Sequence, residues 1–216
     1  MNFAIIAQQL VSGMGSSLMI FVLTLLFSMP LGLLVAFGRM SKIKPLQAVI
    51  KVFIAILRGT PLMLQLLVVN FAPYYLFRIS LPRWYRFAAI IIGFSINYAA
   101  YFAEIYRSGI ESIPKGQYEA ASVLGYNKNQ TFFRIIFPQM VKRVLPPVTN
   151  EVITLVKDTS LAFVLAYEEM FTVAKQIASA RTSIMPLFVA GVFYFIFNGV
   201  VAVAMERIEK KLSYYH

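Results

Sequence analysis

Residues 118–139 read YEAASVLGYNKNQTFFRIIFPQ, a polar island set between segments apolar enough to cross a bilayer. Its grammar is helical. Tyr118 to Leu124 favours a helix, and Gly125 can close that helix in a left-handed conformation. Asn129 to Ile136 is expected to form a second short helix that Pro138 stops. The bland reading is an amphipathic connection resting on the bilayer surface. The sharper one is a structured loop that a soluble partner grips.

Composition fixes what surrounds the island. The chain has 216 residues, 59% hydrophobic and 13% charged, with a mean hydropathy of +0.72. Soluble domains run at about 45–50% apolar and about 25% charged, so this is an integral membrane protein. The net charge of +11 does not gather on one soluble face as nucleic-acid binding would require. Basic residues instead punctuate the ends of apolar runs. There is no cysteine, which excludes disulfides and thiolate catalysis, and the single histidine is His216. Histidine acid–base chemistry and His-rich metal sites have no material here.

A spanning helix needs about 20 largely apolar residues. Five runs qualify as expectations: 16–37, 46–77, 87–106, 146–167 and 186–205. Pro30 and Gly32 are expected to bend the first. The second carries Arg58-Gly59-Thr60-Pro61, where a break is expected because Pro61 removes a donor and disfavours helix at Thr60. The fourth is expected to begin at Pro146-Pro147, with proline in the first turn. Residues 168–182 have the spacing of an interfacial helix. Gly13, Gly15, Ser16, Gly191 and Gly199 are candidate helix contacts, and Tyr74, Tyr75, Trp84 and Tyr85 candidate belt residues. No internal repeat or linker divides the chain, and the start lacks the basic region of a cleavable signal.

Lys and Arg set the expected orientation. With the N-terminus outside, thirteen basic residues fall on the cytoplasmic side, among them Arg39, Lys42, Lys44, Arg107, Lys115, Arg143 and Lys210. Five fall outside: Arg78, Arg83, Arg86, Lys175 and Arg181. The bias puts the C-terminus and the loop of about 110–143 in the cytoplasm.

Spacing within the island is specific. Glu119-Ala120-Ala121, three residues, Gly125, nine residues, Ile135, one residue, Phe137-Pro138 resembles the EAA signature of ABC importer permeases, with Phe137 where that pattern has leucine. The segments Arg58-Gly59-Thr60-Pro61-Leu62, Asn97-Tyr98-Ala99-Ala100-Tyr101 and Asn150-Glu151 through Lys157 are similar to polar amino acid permeases of the same group. The resemblance covers nearly the whole chain from Ser16. It implies an all-α type I ABC importer permease fold with five transmembrane helices. It also implies that Glu119, Ala120, Ala121, Gly125, Ile135 and Pro138 belong to a coupling loop seated on an ATPase subunit. No GxxxxGK[ST] loop occurs, so this chain has no phosphate cradle. ATP and Mg would be held by that separate ATPase, with no cofactor in this chain.

Charges inside apolar spans cost roughly 2.5–3.5 kcal/mol each on insertion scales, which makes them candidates for function. Glu151, Lys157 and Asp158 fall in the fourth run and Asn97 in the third. A zwitterionic amino acid needs a donor for its carboxylate and an acceptor for its ammonium. Lys157 can supply the first, Asp158 or Glu151 the second, and Asn97 either. The alternative is an internal ion-pair network of Glu151, Lys157 and Asp158, with Arg58. Glu104 is read as a structural partner of Arg107, and Arg58 to Pro61 as a packing and hinge element.

The expected function is therefore the non-catalytic, multi-pass subunit of an ATP-driven importer of polar amino acids in a bacterial plasma membrane. Five spans enclose a pathway only with a second permease chain, identical or related. An external or periplasmic amino-acid-binding protein would deliver substrate. A stand-alone ion-coupled transporter or channel is the runner-up, with no inverted repeat in its favour. An intramembrane hydrolase would need a Ser–Lys pair that no motif here supports.

Overall fold

The computed structural model describes residues 3–212, with side chains from residue 5; His216 and the extreme termini lie outside the described residues. Every regular element among the described residues is a helix, without a strand. Helix α1 (Phe3–Arg39) runs unbroken through Pro30. Gly32 serves packing there: a Cβ on it would stand 2.8 Å from Phe102 Cβ and 3.0 Å from the Ala99 carbonyl. Gly13 does the same against Met170, whereas Gly15, Gly191 and Gly199 face open space.

Helices α2 (Lys44–Gly59) and α3 (Leu62–Phe77) share the second apolar run and differ in direction by 110°. Pro61 caps α3 and Thr60 is extended, with φ −121° and ψ 149°, as the residue before a proline prefers. Helix α4 (Tyr85–Glu111) is the centre of the molecule. It packs on α1, α2, α3 and the long helix α7. Ala89, Gly93, Ala99, Ala100 and Ala103 bring backbones close, while the buried rings of Phe94, Tyr98 and Phe102 fill the volume between them.

After α4 come α5 (Lys115–Val123), the single turn α6 (Lys128–Thr131) and a π-helical turn (Phe132–Ile136) that flows into α7 (Phe137–Asp158). A 3₁₀ stretch (Thr159–Leu165) leads to α8 (Met170–Arg181) and α9 (Met185–Leu212). Here the structure departs from the sequence reading. Pro138 does not stop a helix; it sits in the first turn of α7, where its missing donor is not needed. Pro146 and Pro147 fall inside α7 instead of starting it. Met140, Val144, Val148, Val152 and Leu155 form one buried stripe at intervals of three to four residues, which holds α7 to the core despite the prolines.

Among the described residues three helices, α1, α4 and α9, are each long and apolar enough to cross a membrane, and α2 with α3 makes a fourth candidate. The expected fourth span, 146–167, is divided between the charged end of α7 and the 3₁₀ stretch. Helix α9 buries only Pro186, Val189 and Ala190, leaving Phe188, Phe195 and Val200 more than 60% exposed. An apolar face of that extent belongs against lipid or another protein.

Candidate functional site

Two sites emerge, one in the polar loop and one where α2, α4 and α7 meet. In the loop, the end of α5 is a Schellman motif. Gly125 takes φ +78°, its N–H donates to the Ser122 carbonyl at 3.0 Å, and the Tyr126 N–H donates to the Ala121 carbonyl at 3.0 Å. The next helix opens on a capping box. Asn127 Oδ1 accepts from the Gln130 N–H at 2.9 Å, and Gln130 Oε1 accepts from the Asn127 N–H at 3.0 Å. The Asn-x-x-Gln spacing was a readable signal for that start.

The loop thereby becomes a rigid knob. Ala121 faces inward, while Glu119 and Ala120 are exposed on α5. Val123 and Leu124 stand 88% and 73% exposed at its tip. Ile135 is half-buried in the π turn and Pro138 is exposed. Phe132, Phe133 and Phe137 pack on one another, and Phe132 reaches Phe37 of α1 at 6.1 Å between ring centres. Arg143 of α7 donates to the Ser112 carbonyl, tying the root of the loop to the α7 helix.

The break between α2 and α3 is closed by side chains. Pro61 has no N–H for the carbonyl four residues back, that of Leu57. The Leu57 oxygen accepts instead from Asn97 Nδ2 at 3.0 Å and from Gln65 Nε2 at 2.9 Å. Asn97 also donates to Gln65 Oε1 at 2.9 Å, and Gln65 reaches the Thr60 hydroxyl at 2.9 Å. Both donors of Asn97 are thus engaged with the break.

The charges of α7 separate rather than cluster. Asp158 Oδ2 accepts from the buried Tyr98 hydroxyl at 2.7 Å. Lys157 beside it is exposed. Glu151 lines a cleft of about 510 Å³ together with Arg58, Tyr101, Arg107 and Arg143. Arg58 lies with its guanidinium carbon 5.1 Å from the centre of the Tyr101 ring. Among the described residues, Arg58, Glu151, Lys157 and Asp158 form no ion pair with one another. Glu104 does pair, with Arg107 at 2.7 Å and Arg39 at 3.8 Å, fastening α1 to α4.

The sequence reading missed Glu169. Its side chain is fully buried and caps α8. It accepts from the N–H groups of Phe171 and Thr172 at 2.7 and 2.6 Å and from the hydroxyls of Thr172 and Tyr194 at 2.8 and 3.0 Å. The Ser17 hydroxyl approaches at 3.4 Å and itself accepts from the Met170 N–H at 3.2 Å. One carboxylate thus joins α1, α8 and α9. An acidic residue just before an apolar helical run was the available signal. No group of acidic or histidine residues able to hold a metal occurs among the described residues.

Comparisons with known proteins bear on the chain as a whole. A family model described as "Binding-protein-dependent transport system inner membrane component" matches residues 28–214. The L-cystine transport system permease protein TcyB of Bacillus subtilis (strain 168) is 37% identical over 196 residues, covering 90% of this chain and 82% of its own. The probable amino-acid ABC transporter permease protein YckA of the same organism is 35% identical over 207 residues, covering 95% and 89%. Among solved structures, "Crystal structure of an amino acid ABC transporter with histidines" superposes with a TM-score of 0.87 at 29% identity, over 98% of this chain and 99% of that one. An inward-facing MetNI methionine ABC transporter gives 0.78 at 18% identity over 99% and 100%, a likeness of fold alone.

Proposed function

This chain belongs to the binding-protein-dependent transport system inner membrane component family, as an amino-acid ABC transporter permease, and from that premise we propose how its parts act. The membrane domain crosses the bilayer five times, with the N-terminus outside and the C-terminus in the cytoplasm. Two permease chains, identical or related, face each other across the pathway. Each receives an ATPase subunit on the knob of α5 and Gly125, and an external amino-acid-binding protein loads the outer face. The exposed Glu119, Ala120, Val123 and Leu124 meet the ATPase, while Ala121, Ile135 and Pro138 hold the knob in register with α7. ATP with Mg on the ATPase drives the knob, and α7 carries the displacement to Glu151, Lys157 and Asp158. Arg58, Gly59, Thr60 and Pro61 form the hinge at which α2 and α3 change their angle.

The observation that carries this reading is the knob itself. Two large apolar residues are held outward on a glycine-terminated helix that stands beside polar surroundings and packs on α6 and on the π-helical turn that leads into α7. A membrane-bound surface of that kind is built to be gripped. The substrate is a polar α-amino acid, as the relatives' names indicate for those proteins. The test is reconstitution in proteoliposomes with a co-purified ATPase and a panel of amino acids. Amino-acid-stimulated ATP hydrolysis and ATP-dependent uptake are expected; uptake that proceeds without the ATPase overturns the reading.

A further inference from the structure

The cleft between α2, α4 and α7 contains more charge than the hinge and the α7 carboxylates were given reason for. Most of it is settled internally. Glu104 is taken by Arg107 and Arg39, and Glu111 by Arg107 at 2.5 Å. Arg143 keeps its charge and donates to the Ser112 carbonyl. The side chains of Arg58 and Glu151 have neither an ion pair nor a hydrogen bond among the described residues. Arg58 rests on the Tyr101 ring, and Glu151 lines the same cleft from α7. Opposite charges that share a partly desolvated cavity gain by meeting. Both line the same cleft of about 510 Å³ without coming within ion-pairing distance of each other.

We propose that this cleft is an inner binding station for a zwitterionic α-amino acid, with the Arg58 guanidinium receiving the α-carboxylate and Glu151 the α-ammonium. The assignment rests on the permease reading above and adds a second stop to its pathway. Arginine's planar fork matches a carboxylate with two parallel hydrogen bonds. The Tyr101 ring, its centre 5.1 Å from the guanidinium carbon, holds that group at the wall of the cleft. Glu151 and Asp158 are seven residues apart on α7, roughly 10 Å at 1.5 Å per residue. The station therefore lies one amino-acid length inward from Tyr98–Asp158. Ser112 and Arg143, which join the loop root to α7, line the same cleft. Occupancy of the inner station is thus in contact with the element the ATPase moves.

A site of this kind fills from the cytoplasm when the product accumulates, and an occupied station slows the next cycle. The test uses the full transporter in proteoliposomes, with ATP inside and the binding protein outside. L-Cystine, L-arginine and L-glutamine are tried in turn as the labelled probe, and the transported one is preloaded into the lumen at increasing concentration. Wild-type uptake is expected to fall as lumenal probe rises. In Arg58→Gln the half-inhibitory lumenal concentration, normalised to that variant's own uptake, is expected to rise about tenfold. Arg58→Lys, which keeps the charge without the fork, should fall between, and it serves where Arg58→Gln does not assemble. Wild-type uptake indifferent to lumenal probe, or variant curves that overlay the wild type, overturn the station while leaving the permease reading intact. Failure of all three probes to enter with ATP overturns the permease reading and the station with it.

Discussion

The carbonyl of Leu57, which loses its helical donor to Pro61, is satisfied from another helix by the Asn97 amide at 3.0 Å. An unpaired carbonyl in a bilayer costs several kcal/mol, so the kink in the second apolar run depends on the two side chains that reach this oxygen, Asn97 of α4 and Gln65 of α3. Asn97→Leu fits the volume but removes both donors, and it should cost about 1–3 kcal/mol. The measurable result is a lower melting temperature in detergent for Asn97→Leu, with partial recovery in Asn97→Gln. An unchanged melting temperature would show that Gln65 closes the break alone.

Gly125 tests the coupling knob. Its φ of +78° is open to glycine, and a side chain there meets no neighbour, so the strain is backbone strain alone. Gly125→Val should cost about 1–2 kcal/mol at this one turn. It should lower amino-acid-stimulated ATP hydrolysis sharply while the melting temperature falls by only a few degrees. Full coupling in Gly125→Val would place the grip elsewhere.

Which of these relationships could be read from residues alone follows from their range. The break at Pro61, the turn at Gly125 and the Glu104–Arg107 pair are local, decided by chemistry within about one helical turn. Asn97 reaching Leu57 and Tyr98 reaching Asp158 span 40 and 60 residues, and no periodicity encodes such pairings. Asn97, Glu151, Lys157 and Asp158 were grouped because they are polar in apolar runs. Folding assigns them to different neighbours: the break, the cleft, the open surface and the Tyr98 hydroxyl. The prolines misled in a different way. A first-turn rule fits Pro138 and Pro146 equally well, and only packing of the stripe from Met140 to Leu155 decides that α7 starts at the earlier one.

Tyr98 tests the Asp158 end of α7. Its ring is buried at 2% exposure and its hydroxyl is donated to Asp158. Tyr98→Phe keeps the ring and frees the carboxylate to seek another donor. The expected outcome is a changed KM for amino-acid uptake at near-constant melting temperature. A melting temperature that falls with KM unaltered would instead make the bond a helix clamp.

Glu169 is the strongest stability test because its carboxylate is fully buried and ties three helices. Glu169→Ala removes the α8 cap, by itself worth about 0.5–2 kcal/mol. It also leaves the Tyr194 hydroxyl, beyond the cap itself, without its acceptor, at about 1–3 kcal/mol. Glu169→Gln keeps one acceptor oxygen but turns an NH₂ group toward donors, so it should fall between Ala and the native residue. Tyr194→Phe removes a single hydrogen bond and should cost the least. The order Glu169→Ala, Glu169→Gln, Tyr194→Phe in falling severity of melting-temperature loss is the check. If Tyr194→Phe matched Glu169→Ala, the hub would draw its stability from the α9 contact and not from capping α8.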